Sequence, residues 1–237
     1  NTRPLDAPES LVGRVLDGRY RLERVVNAGG MGIIFVANQL SLQRPVAVKL
    51  LKPTLSGDSS LTDRFAQEVD IGKELRHQNV ISLLDAGRDA TGLVYLVMEF
   101  FEGRTFRKAL QLRELTLVEI LDVFVQTCDA LIEAHGVQIV HRDLKFDNIM
   151  LVRRRDGRLH GKILDFGVAK MLRRDVDLTR GGQVPGTPGI IAPELLAHST
   201  PSAQSDLYSL GVLLFTVLAG DTPFHGNNDL ELMRAHK

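Results

Sequence analysis

The feature that most constrains this chain is a change of hydrophobic period at Glu102-Gly103. Before it, from Tyr20 to Phe100, apolar residues fall in the short runs YRLERVV, GIIFVAN, PVAVKLL, VISLLDAG and VYLVMEF. Each is rich in β-branched or aromatic side chains and bounded by turn formers, which predicts strands. A single helix is expected over Thr62 to Arg76, where Phe65, Val69 and Leu75 fall near one face. After Gly103 the helical period takes over. Ile120, Phe124, Cys128 and Leu131 recur through Leu117–His135, with Gly136 placed to end that helix, and Ser205–Ala219 is a second, strongly apolar one. Between these helices QIVHRD, NIMLV and KILDF read as short strand-like pieces. Strands first and helices second predict an α+β chain of two lobes joined near residue 101. Residues 1–18 carry Pro4, Pro8, Gly13 and Gly18 without a sustained period and read as an N-terminal extension or linker. The expected divisions are therefore 1–18, a sheet lobe over 19–101, and a mainly helical lobe over 102–237.

At 237 residues and 44% hydrophobic, the chain can bury a core without disulfide or metal staples. Basic and acidic side chains balance at 29 each, which argues against a general nucleic-acid binder. Cys128 is the lone cysteine and cannot close an intramolecular disulfide, so a reducing, cytoplasmic setting is expected for this domain. The longest uncharged apolar stretch, Leu207 to Gly220, is too short for a bilayer span. Nothing near Asn1 has signal-peptide character, and the missing initiator Met suggests a fragment. The seven histidines lack metal-ligand spacing, so no zinc site is assigned.

The chemistry sits in four stretches. VVNAGGMGIIFVA brings Gly29, Gly30 and Gly32 into a hairpin whose bare backbone can close over a phosphate. A dinucleotide-binding loop would run into a helix, whereas IIFVA is strand-like; an ordinary glycine-rich hairpin accounts for the stretch equally well. Lys49 ends VAVK on a buried-looking strand, where an ammonium needs a partner. Glu68, 19 positions on, lies in the expected helix; a surface lysine and a solvated glutamate are the alternative. IVHRDLKFDNIML then places Asp143, Lys145 and Asn148 within six residues on a loop. Asp165-Phe166-Gly167 follows 22 residues after Asp143, and Ala192-Pro193-Glu194 closes the segment that Asp165 opens.

This ordered set resembles the eukaryotic-type (Hanks-type) serine/threonine protein kinase family, and GGMG, HRDLK, GTPG and SDLYSLGV are most similar to its bacterial members. The resemblance covers about residues 19–237. It implies a bilobal protein-kinase-like fold, with a small antiparallel-sheet lobe, one helix in it, and a larger helical lobe that ends before the family's last helices. It also implies non-specific serine/threonine protein kinase activity: transfer of the γ-phosphate of ATP to hydroxyls of protein substrates, in signalling, with Mg²⁺ or Mn²⁺ as cofactor. Self-association for trans-autophosphorylation is compatible with that activity, and no nucleic-acid partner or membrane span is implied.

By the same resemblance Asp143 is the base that orients the acceptor hydroxyl, and Lys145 reaches the transferring phosphate. Lys49 contacts the α/β-phosphates and Glu68 holds it; Asn148 and Asp165 offer hard oxygen ligands to the metal. Asn27 stands where the loop's first glycine is expected. Ile34 and Ala47 would cover adenine, Met150 would lie beneath it and Met98 behind it, and the backbone of Glu99 and Phe101 would contact the base. Each of these apolar residues singly also reads as plain core. Thr187 would brace Asp143 and Lys145. Arg142 marks enzymes switched by a phosphate on the activation segment, with Thr179 as the candidate site or as an unmodified loop threonine. His141 and Phe166 are expected in a packed column. Asp206 resembles the family's buried anchor of the catalytic loop, or is a helix-start carboxylate favoured by the dipole. A pseudokinase, binding nucleotide without useful turnover, is the alternative function; a small-molecule kinase fits GTPGIIAPE less well.

Four features depart from the family or stand outside it. Gly72, one turn after Glu68, leaves a gap and predicts a helix that swings readily. Phe146 replaces the usual proline after HRDLK, and Ile190 replaces the usual aromatic before APE. The run Arg153, Arg154, Arg155 and Arg158, around Asp156-Gly157, is more simply a solvated turn between two strands than a site for an acidic partner.

Overall fold

A computed structural model of the chain describes residues 7–29, 32–51, 69, 75–164, 166, 189–196, 199–226 and 228–236. The chain divides into two compact units, one of Asn1–Arg76 with Ile81–Phe101, the other of His77–Val80 with Glu102–Lys237.

Alternation of period two builds the first unit. Strands β1 (Val15–Leu16), β2 (Tyr20–Gly29), β3 (Gly32–Gln39), β4 (Arg44–Leu51), β5 (Leu83–Arg88) and β6 (Val94–Glu99) form an antiparallel sheet in the order β1-β2-β3-β4-β6-β5. Its core is one face: Leu22, Ile33, Phe35, Ala37, Val46, Val48, Leu50, Tyr95 and Val97 are packed together. Burying each large apolar side chain contributes about 1.5–3 kcal/mol against the entropy cost of ordering the strands. Gly32 is obligatory in the hairpin. It has φ 150°, and a Cβ there would lie 2.1 Å from the Leu50 carbonyl oxygen.

The segment expected to be an extension contributes to this unit. A 3-10 turn at Pro8–Leu11 and strand β1 bury Leu11 and Leu16, and Arg14 donates to Asp89 at 2.5 Å. Two core residues five positions apart carry no period, so the sequence pattern does not reveal them. The strand read at VISLLDAG begins only at Leu83. Val80, which belongs with the second unit, instead bridges Ile163 of that unit, and Asn79 donates through Nδ2 to Gln126 and to the Gly161 carbonyl. The helix expected over Thr62 to Arg76 lies outside the described residues, apart from Val69, Leu75 and Arg76.

The second unit contains the sheet β7 (Arg104–Thr105), β8 (Ile149–Arg153) and β9 (Leu159–Ile163), in that order. With it run α1 (Phe106–Gln111), α2 (Leu117–Gly136), α3 (Pro193–Leu196), α4 (Ala203–Ala219) and α5 (Asp229–Ala235). Helix α2 starts on a capping box between Thr116 and Glu119, and buries Ile120, Val123, Phe124, Ala130, Leu131 and Ala134. Gly136 is its last residue, as expected, but it is not the left-handed one. Gln138 takes the left-handed turn at φ 60°, while Gln138 N–H donates to His135 O and Ile139 N–H to Ala134 O. Those two bonds satisfy the last carbonyls as a terminal glycine would.

Phe146 has a clear reason to replace proline. It is buried edge-on to Phe106, with ring centroids 5.3 Å apart, and Phe106 in turn meets Phe124 at 5.9 Å. QIVHRD, expected to be strand-like, has no strand partner among the described residues, because its amides are captured by a side chain. NIMLV and KILDF hold β8 and the end of β9. Among the described residues, no helix is long and apolar enough to cross a membrane.

Candidate active site

The loop from His141 to Asn148 is shaped by a buried carboxylate. Asp206, 1% exposed in the first turns of α4, accepts the His141 N–H on Oδ2 at 2.8 Å and the Arg142 N–H on Oδ1 at 2.9 Å. Of the two readings of Asp206, the geometry gives the loop anchor. His135 adds a third contact, Nε2 to Oδ2 at 2.9 Å. A carboxylate only accepts, so that nitrogen carries the proton. His135 is a site-shaping residue that the sequence reading missed; its only signal is its place in the last turn of the helix, next to Gly136.

The tether holds Arg142 at φ 68°, a left-handed conformation uncommon for a side-chain-bearing residue. The chain then turns so that Asp143 N–H donates to His141 Nδ1 at 3.2 Å. His141 Nε2 is thereby the protonated nitrogen, and it donates to the Leu164 carbonyl at 2.8 Å. The His141 ring meets Phe166 edge-on at 4.9 Å. The two rings expected to pack are in contact, and the imidazole is also a hydrogen-bonded brace.

Asp143, Lys145 and Asn148 converge. Lys145 Nζ lies 2.9 Å from Asp143 Oδ2, and Asn148 Nδ2 donates to the Asp143 carbonyl at 2.8 Å. Leu164 is held from both sides, because its N–H donates to Asn148 O at 2.8 Å while its carbonyl accepts from His141. The residue preceding Asp165 is thus fixed against the loop that carries Asp143 and Asn148. Committing Asn148 Nδ2 leaves its Oδ1 as a hard oxygen with no hydrogen bond among the described residues. A divalent cation prefers such a ligand, so this part of the donor set fits the implied metal.

In the first unit, residues paired across strands share a face, and alternate residues share it too. Ile34 lies opposite Lys49, Lys49 opposite Leu96, Val36 opposite Ala47, and Ala47 opposite Met98. Ile34, Ala47, Lys49 and Met98 therefore line one face, the reverse of the core face. Lys49 is buried there. Asn27 pairs with Ile34 and Gly29 with Gly32, so the hairpin forms with asparagine in the first glycine's place. Glu99 is tied to Ser82 by its own N–H at 2.9 Å and by Oε1 at 2.8 Å, two residues before Phe101. Met150 belongs to the second unit, in β8 between Thr105 and Lys162. Gly30, Glu68, Gly72, Asp165, Thr179 and Thr187 lie outside the described residues.

The protein kinase domain pattern matches residues 20–237. The chain is 37% identical over 233 residues to the serine/threonine-protein kinase pkn3 of Myxococcus xanthus, covering 96% of this chain and 42% of that one. To the serine/threonine-protein kinase PrkC of Bacillus subtilis it is 33% identical over 227 residues, covering 95% and 34%. The chain thus spans about a third to two-fifths of the length of these relatives. Among solved structures, the PknI kinase domain of Mycobacterium tuberculosis matches with a TM-score of 0.70 at 22% identity, over 91% of this chain and 80% of that one. That likeness shows the expected fold, an antiparallel-sheet part followed by a mainly helical part.

Proposed function

Starting from a chain that belongs to the protein kinase family, we propose that it transfers the γ-phosphate of ATP to serine or threonine hydroxyls of protein substrates. The observation that carries this reading is the Asp143–Lys145 pair, 2.9 Å apart on a loop held by Asp206. Phosphoryl transfer leaves little covalent work to the protein and asks chiefly for position and charge. The acceptor hydroxyl oxygen would attack the γ-phosphorus as the bond to the β–γ bridging oxygen breaks and ADP leaves. Asp143 would take the hydroxyl proton, and Lys145 would offset charge on the transferring group. Asn148 and Asp165 would hold a divalent cation, Mg²⁺ or Mn²⁺, whose contribution is to neutralise the phosphates.

Lys49 would meet the α/β-phosphates, with Glu68 as its partner, and the Asn27–Gly32 hairpin would cover them. Ile34, Ala47, Met98 and Met150 would sandwich adenine, and the backbone of Glu99 and Phe101 would bond its edge. Thr187 is proposed to brace Asp143. Thr179 is proposed as an activating phosphosite read by Arg142, reached by self-association and trans-autophosphorylation. ATP supply puts such a reaction on the cytoplasmic side. That Lys49, Asp143, Lys145 and Asn148 are all retained supports turnover over a nucleotide-binding scaffold.

The test is incubation with labelled ATP, Mg²⁺ or Mn²⁺, and a serine/threonine peptide library. Transfer is expected, and Asp143→Asn should lower it by about a hundredfold or more. Undiminished transfer by that variant would refute the assignment of the base.

A further inference from the structure

The turn between β8 and β9 carries four arginines that phosphoryl transfer does not use. The structure confirms a turn and gives it two further properties. It is rigid: Arg154 N–H donates to Arg158 O and Gly157 N–H to Arg154 O, both at 2.9 Å, while Asp156 Oδ1 accepts the Arg158 N–H at 3.0 Å. Arg153 is already committed. It pairs with Glu119 at 2.7 Å and donates to Gly157 O at 2.8 Å, which ties the turn to α2. Hydrogen bonds from the Thr116 backbone and from Arg153 hold the Glu119 carboxyl down to about 2, so the tie persists at any working pH. Arg154, Arg155 and Arg158 are exposed and have no carboxylate partner among the described residues.

The second property is a neighbour. A solvent-open groove of about 350 Å³ runs beside the turn, with Leu115, Leu151, Val152 and Leu159 in its lining. Arg153 and the Arg104–Glu114 pair, 2.5 Å apart, also border it, and both arginines already have carboxylate partners. The groove therefore offers an apolar strip with the Glu102 carboxylate also in its lining, and Arg154, Arg155 and Arg158 follow in sequence on Arg153, which lines it.

We propose that this face docks an acidic peptide segment of a protein partner, an apolar side chain entering the groove and the following carboxylates meeting Arg154, Arg155 and Arg158. The charge sets the choice of partner. In a chain of zero net charge, three unpaired guanidiniums against Asp156 and the groove's Glu102 still leave a local cationic surplus, which attracts an acidic segment and repels a basic one. Guanidinium forks match carboxylates in two-bond geometry, and a turn fixed by its own hydrogen bonds leaves only the side chains to be ordered on binding. The groove adds what charge alone lacks, a fixed register.

Binding is read without turnover, so its outcome is independent of the kinase reading. The probe is a fluorescein-labelled peptide with one leucine followed by four glutamates, compared with its lysine counterpart by fluorescence anisotropy on the 237-residue chain. The acidic peptide should bind at least roughly tenfold more tightly, and weaken as salt is raised. Changing Arg154, Arg155 and Arg158 together to Glu should remove that preference with the melting temperature unchanged; the milder triple change to Gln should lower affinity by about tenfold. Leu115→Ser should weaken binding at constant salt dependence. Equal affinity for both peptides, indifference to the arginine changes, or stronger competition by an oligonucleotide or by anionic vesicles would each overturn the proposal.

Discussion

Asp206→Asn is nearly isosteric, and it isolates what the buried carboxylate does. Oδ1 accepts one backbone N–H, and Oδ2 accepts another together with the His135 ring. An asparagine retains a single oxygen there. Whichever way its amide turns, an NH₂ group faces a backbone N–H, and one donor is left buried without an acceptor. That costs about 1–3 kcal/mol, and loss of charge assistance in the surviving bond adds roughly 1 kcal/mol. The expected destabilisation is about 2–4 kcal/mol, which for a chain of this size lowers the melting temperature by roughly 4–16 °C. Arg142, held at φ 68°, would then relax and carry Asp143 with it, so turnover should fall while ATP affinity, carried largely by the first unit, changes little. Denaturant midpoints with peptide kcat and ATP KM measure both. A midpoint within about 0.5 kcal/mol of the parent, or a change confined to KM, would refute this account of the tether.

His135→Phe removes only the third donor and should cost about 1 kcal/mol; combined with Asp206→Asn it should cost less than the sum, since both act on one carboxylate, and a double-mutant cycle reads the difference. Gly32→Ala would place a Cβ 2.1 Å from Leu50 O, so the hairpin must shift; nucleotide affinity should fall about tenfold in a calorimetric titration with ATP. Phe146→Ala, and equally Phe146→Pro, should cost about 3–5 kcal/mol by urea denaturation, because both remove the ring from its contacts with Phe106. Burial pushes the Asp89 carboxyl up, but hydrogen bonds from Thr91 and Leu93, with Arg14 alongside, outweigh it and hold the group below its ordinary 3.8. Its stabilisation is complete above that value and is lost as pH falls through the lower folded value. Asp89→Asn should therefore be less stable near neutrality and approach the parent in strong acid, as melting curves across pH would show.

The charged set was legible because the chemistry demands particular side chains in a particular order. Asp143, Lys145 and Asn148 are six residues apart at most, so proximity is nearly guaranteed once they share a loop. The strands were legible because alternation must continue wherever one face is buried. What the sequence concealed is held by distant partners. His135 and Asp206 are 71 positions apart, and Asn79 lies 82 from Gly161. Nothing local marks these residues. Gly136 was legible as the last residue of α2, but the left-handed turn at Gln138 was not, because the bonds that close a helix end are ones glycine favours and does not monopolise.

The order of residues by itself determined the class of fold, the face of each strand and the candidate set of reacting side chains, since backbone sterics, the strand period and the acid–base chemistry are local properties. Only the tertiary structure decided that QIVHRD would forgo strand pairing, that Leu11 and Leu16 would supply core, and that three of four arginines would stay without a carboxylate partner among the described residues, beside a groove. Each of those outcomes depends on which distant group supplies the hydrogen bond, the apolar contact or the counter-charge, and a linear pattern holds no record of that partner.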